Sequence, residues 1–163
     1  MPQTAVYPGS FDPPTLGHLD IVDRASRLFG SLIVAVGHNT TKQSYLSVED
    51  RIEALRECTQ GNPAIQVEAF SGLLVDYVRS QSSRTVVRGL RAVSDFEYEA
   101  RVAMANRRLA PEIETVFLFT RDEFSFLSSS VVREVVELGG DYRGFVPEPV
   151  ARIIERRQGS PRA

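Results

Sequence analysis

One histidine, one lysine, two arginines and a run of serines are the residues of this chain best suited to chemistry. His18 ends the segment Gly9-Ser10-Phe11-Asp12-Pro13-Pro14-Thr15-Leu16-Gly17-His18, set between an apolar stretch and an amphipathic one. Gly9 lets backbone approach a ligand closely, and Gly17-His18 fall where the free N–H groups and dipole of a starting helix attract an anion. Arg88 and Arg91 flank Gly89-Leu90 in a pattern that suits forked recognition of phosphate. Ser128-Ser129-Ser130 supplies three hydroxyls where a helix cap needs one. Lys42 is the only lysine among nineteen basic residues, a compact charge with freely directed donors in a chain that otherwise uses arginine.

Against these donors the sequence sets no convincing covalent nucleophile and no carboxylate pair spaced as a metal cage, and His38 is the one other histidine. Such an inventory suits the positioning of two anions and the stabilisation of charge on phosphate oxygens. No G-x-x-x-x-G-K-[ST] loop occurs and no G-x-G-x-x-G follows the first apolar stretch, so phosphate must be held by other means. Plainer readings stand beside these. A lone histidine in a turn commonly bonds a backbone carbonyl, and Cys58, which follows Leu55 on a helical pattern, reads as a packed, inert thiol.

The elements that must position these residues follow from periodicity. Thr4 to Tyr7 and Leu32 to Val36 read as short buried strands, joined by a helix on which Ile21, Val22, Ala25, Leu28 and Phe29 recur and which Gly30 stops. Ser47-Val48-Glu49-Asp50 opens a second helix with Val48, Ile52, Leu55 and Thr59 on one face. A strand over Ile65–Phe70, a helix from about Leu73 to Arg79 and a strand over Thr85–Arg88, closed by Gly89, come next. Ser94-Asp95-Phe96-Glu97 is read as a capping box opening a long helix to about Leu109, followed by a strand over Thr115–Thr120. Ser130 is expected to cap a helix from Val131 to Leu138 that Gly139-Gly140 end, and Pro147 to begin a last helix over about 147–157 with a frayed tail over 158–163. Five strands alternating with helices predict an α/β fold, a doubly wound parallel five-stranded sheet of Rossmann-like type. Ligands in such folds bind at the carboxyl ends of strands, which singles out Gly9–His18, Gly37–Lys42, Arg88–Arg91 and Thr120–Ser130.

Composition narrows the classes. The 163 residues, 42% of them hydrophobic and without repeat or linker, are expected to form one domain over 1–163. A net charge of −2 gives no global field for nucleic acid. One cysteine excludes an internal disulfide, and no signal peptide or apolar run approaching the ~20 residues of a membrane span is present, so a cytoplasmic chain without membrane contact is expected.

Gly9-Ser10-Phe11-Asp12-Pro13 followed by Thr15-Leu16-Gly17-His18 resembles the T/H-x-G-H signature of the nucleotidyltransferase superfamily, which class I aminoacyl-tRNA synthetases share in a related form. Two longer segments, Arg88 to Glu99 and Phe124 to Ser130, are similar to stretches of the phosphopantetheine adenylyltransferase family, and the resemblance runs from residue 4 to about 155. It implies reversible transfer of AMP from ATP to 4′-phosphopantetheine by direct in-line displacement, giving dephospho-coenzyme A and pyrophosphate with Mg²⁺ present. It also implies coenzyme A as a ligand and a homohexamer. By matching position, Ser10 is expected at both substrates, and His18 at the ATP phosphates as a stabiliser of the transition state. Lys42 joins His18 as catalytic and joins Leu74 and Arg88 on the phosphopantetheine side. The ATP side takes Phe11, Gly17, Gly89, Leu90, Arg91, Glu99, Phe124, Ser125, Phe126, Leu127, Ser128, Ser129 and Ser130. The residues that would ligate the metal are left open.

On the residues alone, Leu74 reads as helical core and Glu99 as an acid favouring a helix dipole. The sequence departs from the family pattern in the run His38 to Tyr45, which lacks a proline before Lys42 and a second lysine after it, and at Arg133, where many relatives have lysine. The alternatives are a sister enzyme transferring AMP or CMP to nicotinamide mononucleotide or glycerol 3-phosphate, and a non-catalytic nucleotide or coenzyme A sensor.

Overall fold

Alternation within the strands decides the layering. In β1 (Gln3–Gly9) and β2 (Gly30–Gly37), Ala5, Tyr7, Leu32, Val34 and Val36 join one buried cluster, whereas the intervening Val6, Ile33 and Ala35 join another. Successive strand side chains point to opposite faces, so both faces of the sheet are apolar and both must be covered. The computed structural model describes residues 3–38 and 43–159, and Lys42 lies outside the described residues. β3 (Ile65–Phe70), β4 (Thr85–Leu90) and β5 (Glu114–Phe119) complete one sheet, every neighbour parallel, in the order β3-β2-β1-β4-β5. The doubly wound five-stranded parallel sheet predicted from the sequence is the fold observed.

Helices α1 (Leu16–Phe29) and α2 (Val48–Thr59) close the first face with Ile21, Val22, Ala25 and Leu55. Val75 and Val78 of α3 (Leu74–Ser80), with Ala110 and Ile113 beyond α4 (Val93–Leu109), close the second. α5 (Ser129–Glu137) and α6 (Glu148–Gly159) build a third cluster, joined by Leu46 and by Ala54 of α2. Gly30 ends α1 as expected, in the left-handed region at φ 77°. Strand order reverses between β1 and β4, the position at which such sheets open a crevice at their carboxyl ends.

Several boundaries differ from the sequence reading, for identifiable reasons. α4 begins at Val93 behind Ala92, with no side-chain cap, so Ser94-Asp95-Phe96-Glu97 is not a capping box. Asp95, in the first turn of α4, instead accepts the backbone N–H and the guanidinium of Arg91, a local bond that ties the residue before the helix to its first turn. The cap of α5 is Ser128, whose Oγ accepts Val131 N–H at 3.1 Å; Ser130 already lies in the helix. β4 continues through Gly89 to Leu90, because Gly89 and Leu90 pair in register with Leu118 and Phe119. Residues 158 and 159 continue α6, where a frayed tail was expected. Leu28 falls on the helical pattern but is exposed. Cys58 is partly buried, and burial pushes its thiol up to about 11, so it stays protonated and unreactive.

Candidate active site

β1 ends in a turn whose shape is fixed by its side chains. Phe11 takes a positive φ of 49°, and its ring is buried against Gly9, where a Cβ would stand 2.9 Å from Phe11 Cζ. The Asp12–Pro13 peptide is cis. Asp12 reaches forward, its two carboxylate oxygens accepting the backbone N–H groups of Tyr45 and Leu46 at 2.7 Å each, so the first turn is pinned to the segment before α2. Thr15 then caps α1. Its Oγ1 accepts the His18 N–H at 3.3 Å, while His18 Nδ1 accepts the Thr15 N–H at 3.0 Å.

That reciprocal cap answers what a histidine does at the mouth of the helix. Nδ1 is an acceptor, so the neutral ring carries its proton on Nε2, the nitrogen left to offer to a ligand. Burial, reinforced by the positive charges of Arg91 and Arg88, lowers the His18 pKa to about 4. His18 is therefore a neutral donor near pH 7. The carbonyl-bonded histidine of the plainer reading is not what forms; its partner is a backbone N–H.

A cleft of about 560 Å³ opens where β1 and β4 diverge. Ser10, Phe11, Gly17 and His18 line it from the first turn and α1, Arg88, Gly89, Arg91 and Glu99 from β4 and α4, and Leu127, Ser128, Ser129 and Ser130 from α5 and the residues before it. These expected site residues, distant in sequence, meet in one hollow. Gly89 sits where two side chains converge: a Cβ there would lie 3.2 Å from Ile21 Cγ1 and 3.3 Å from Tyr7 Oη. Burial raises the Tyr7 phenol well above its ordinary range, so it stays protonated.

Other expected residues fall outside the cleft wall. Leu90 is buried in β4, and Phe124 seats against Gly17, where a Cβ would stand 3.6 Å from Phe124 Cβ. Phe124 belongs to a short 3-10 turn, Asp122–Phe124, whose next residue, Ser125, bonds back to Asp122. Phe126 is largely exposed and edge-on to Phe145. Leu74 packs on the second core face beside Phe70 and Tyr77 and does not line this cleft.

The arginines are not equally free. Arg88 gives Nε and Nη2 to the two oxygens of Glu99 at 2.6 and 2.7 Å, and Nη1 to the Pro8 carbonyl at 2.9 Å. Glu99, expected near ATP, is thus the partner that orients Arg88. Arg91 pairs with Asp95 at 3.2 Å and reaches the Leu127 carbonyl at 3.3 Å. Arg133 carries a charge that no carboxylate neutralises among the described residues: Nη1 bonds the Asp12 carbonyl at 2.6 Å and Nη2 the Ser130 Oγ at 3.1 Å. Sequence reasoning gave Arg133 no site role, although its position three residues after Ser130, one turn on the same helix face, was a usable signal. Tyr7, Thr15, Ile21 and Thr120 also line the cleft, and as ordinary strand or turn residues they gave no signal.

Residues 6–135 match the family model described as cytidylyltransferase-like. A protein of Desulforudis audaxviator named phosphopantetheine adenylyltransferase is 52% identical over 155 residues, 95% of each chain. The chain belongs to the phosphopantetheine adenylyltransferase family. Relatives with the same name in Moorella thermoacetica, 48% identical over 96% of this chain and 98% of theirs, and in Thermosynechococcus vestitus, 52% over 93% and 90%, match as fully. In this family member the segments that carried the resemblance, Gly9–His18, Arg88–Glu99 and Phe124–Ser130, come from three separate parts of the chain and contribute walls to one cleft.

Proposed function

We propose that this chain transfers AMP from ATP to 4′-phosphopantetheine, reversibly, releasing pyrophosphate and forming dephospho-coenzyme A. The observation that carries the reading is a single cleft at the β1–β4 divergence that combines a neutral His18 donor, Arg88, Arg91, Arg133 and three serines, in a chain about half identical to proteins of that name. A phosphate oxygen of phosphopantetheine attacks the α-phosphorus of ATP, the bond to the bridging oxygen breaks, and pyrophosphate leaves. The attacking phosphate is already anionic, so no base is required.

His18 Nε2–H donates to the α-phosphate oxygens, where charge develops, and its Nδ1 is held by the Thr15 N–H, so the donor is oriented beforehand. Ser10 contacts both substrates. Lys42 acts with His18 on the reacting phosphates, and Arg88, held by Glu99, faces the phosphopantetheine phosphate with Leu74 toward the pantetheine arm. Gly89 to Arg91 and Phe124 to Ser130 serve ATP. Mg²⁺ is taken as the ion of the MgATP substrate; among the described residues no group of three or more His, Cys, Asp or Glu is placed to hold a metal ion. The proposed setting is cytoplasmic; no helix among the described residues is long and apolar enough to cross a membrane. A homohexamer is supported by α4, none of whose 17 residues is buried and which exposes Val93, Phe96, Tyr98, Met104 and Leu109.

The test is to incubate the chain with MgATP and, separately, 4′-phosphopantetheine, nicotinamide mononucleotide and glycerol 3-phosphate, and to identify products by mass. Dephospho-coenzyme A and pyrophosphate from the first acceptor alone are expected. Product from another acceptor, or ATP binding without turnover, would overturn the reading.

A further inference from the structure

Arg51 is the largest fully buried side chain among the described residues, 2% exposed, and it has no carboxylate partner among them. A buried guanidinium is ordinarily matched by an acid, because desolvating an unpaired charge is costly. Here every bond is to a backbone carbonyl. Nε bonds Ser47 O at 3.1 Å, and Nη1 bonds Ser10 O at 2.7 Å and Gly37 O at 3.3 Å. Ser47 caps α2, Gly37 ends β2, and Ser10 follows the last residue of β1. One side chain thus joins the carboxyl ends of two central strands to the start of the helix that covers them.

The bond to Ser10 has a directional consequence. A trans peptide carries its C=O and N–H on opposite sides, so fixing Ser10 O against Arg51 turns the Phe11 N–H away from α2. That N–H has no partner among the described residues, and both Ser10 and Phe11 line the cleft. Phe11 also sits at a positive φ that non-glycine residues rarely hold without support, and the bond to the preceding carbonyl is one such support.

We propose that Arg51 is a positioning residue for nucleotidyl transfer: through the Ser10 carbonyl it orients the Ser10–Phe11 peptide so that the Ser10 hydroxyl and Phe11 N–H present donors to the bound phosphates. The inference rests on the functional reading above. Its buried positive charge also stays unneutralised by any described acid. Arginine is required because three carbonyls in different directions need a planar group with several N–H donors, which neither lysine nor glutamine supplies.

The test measures kcat and KM for both substrates in Arg51→Lys, Arg51→Gln, Ser10→Ala and the two double variants, with thermal melts of each. Lysine keeps the charge and glutamine keeps donors without charge. The expected result is folded Arg51 variants with kcat lowered by ~10-fold or more and KM for ATP changed less, and a clearly smaller loss when the same substitution is made in Ser10→Ala, because the hydroxyl it positions is already gone. Wild-type kcat in either folded Arg51 variant, losses that simply multiply with that of Ser10→Ala, or failure of both Arg51 variants to fold would each overturn the proposal and leave Arg51 a packing residue. A wild-type chain that forms no dephospho-coenzyme A overturns the functional reading and this inference with it; an active wild type with fully active Arg51 variants overturns the inference alone.

Discussion

His18 holds two roles at once, since one ring nitrogen closes the first turn of α1 while the other faces the cleft. Removing the ring should therefore lower kcat by at least ~10²-fold, the scale of losing one preorganised donor to a developing oxyanion, while ATP still binds. Near-normal kcat in His18→Ala, measured under saturating substrates, would reduce the residue to its capping role. The protonation argument makes a separate prediction. Because the folded pKa is about 4 and the ordinary value 6.5, the unfolded chain takes up a proton at His18 between those values and the folded chain does not. This residue's contribution to stability is complete above pH 6.5 and is lost as pH falls toward 4. In an NMR titration of the ligand-free protein the His18 ring should stay neutral through pH 6, and a midpoint near 6.5 would refute the assignment of its proton to Nε2 alone in the working enzyme. The histidine's place in the first turn of a helix was legible in the sequence, because the glycine before it and the turn before that mark a helix start. Its tautomer was not, since that depends on which Thr15 atom the ring meets.

The segment after β5 shows how one element is held on another. Asp20 of α1, with a side chain 3% exposed, accepts Arg24 Nη1 at 3.0 Å, Arg121 Nε at 3.1 Å and the Arg121 backbone N–H at 3.2 Å. It thereby ties the turn that leads into Phe124–Ser130 to the helix whose start carries His18. Replacing Asp20 by alanine leaves a backbone donor and two guanidinium groups without their acceptor, a loss of about 1–3 kcal/mol. The expected outcome is a lower melting temperature together with faster amide exchange over residues 121–128 and a raised KM for ATP. Unchanged exchange in that segment would mean that Asp20 serves the core and not the site. Helix ends separated the same way: the start at Ser47 and the stop at Gly30 were read correctly from local chemistry, but the cap of α5 fell two residues earlier than Ser130. Three consecutive serines satisfy the same local rule, and only the packing of Val132 and Val136 in the core chooses among them.

At the scale of the whole molecule, the exposed apolar residues of α4 stand out because none of the helix's residues is fully buried within the chain. If α4 lies between copies, Met104→Glu combined with Leu109→Glu should leave the monomer fold intact, as judged by far-UV circular dichroism, while sedimentation shows a smaller assembly than the wild type. An unchanged sedimentation profile would move the contact elsewhere. The sequence by itself determined the number and order of strands, the parallel α/β layering and the four strand-end segments, because these rest on periodicities of two and 3.6 residues and on glycine and proline punctuation, all local properties. Tertiary structure alone decided that Arg88 is held by Glu99, that Arg133 joins the cleft and that Arg51 is buried beneath the Ser10 carbonyl. These facts turn on which long side chains reach which carbonyls and carboxylates across 11 to 121 positions of sequence separation, as between Arg88 and Glu99 or Arg133 and Asp12. Arginine's reach and its several donors fit many such partners equally well, so the choice is made only when the sheet brings the strand ends together.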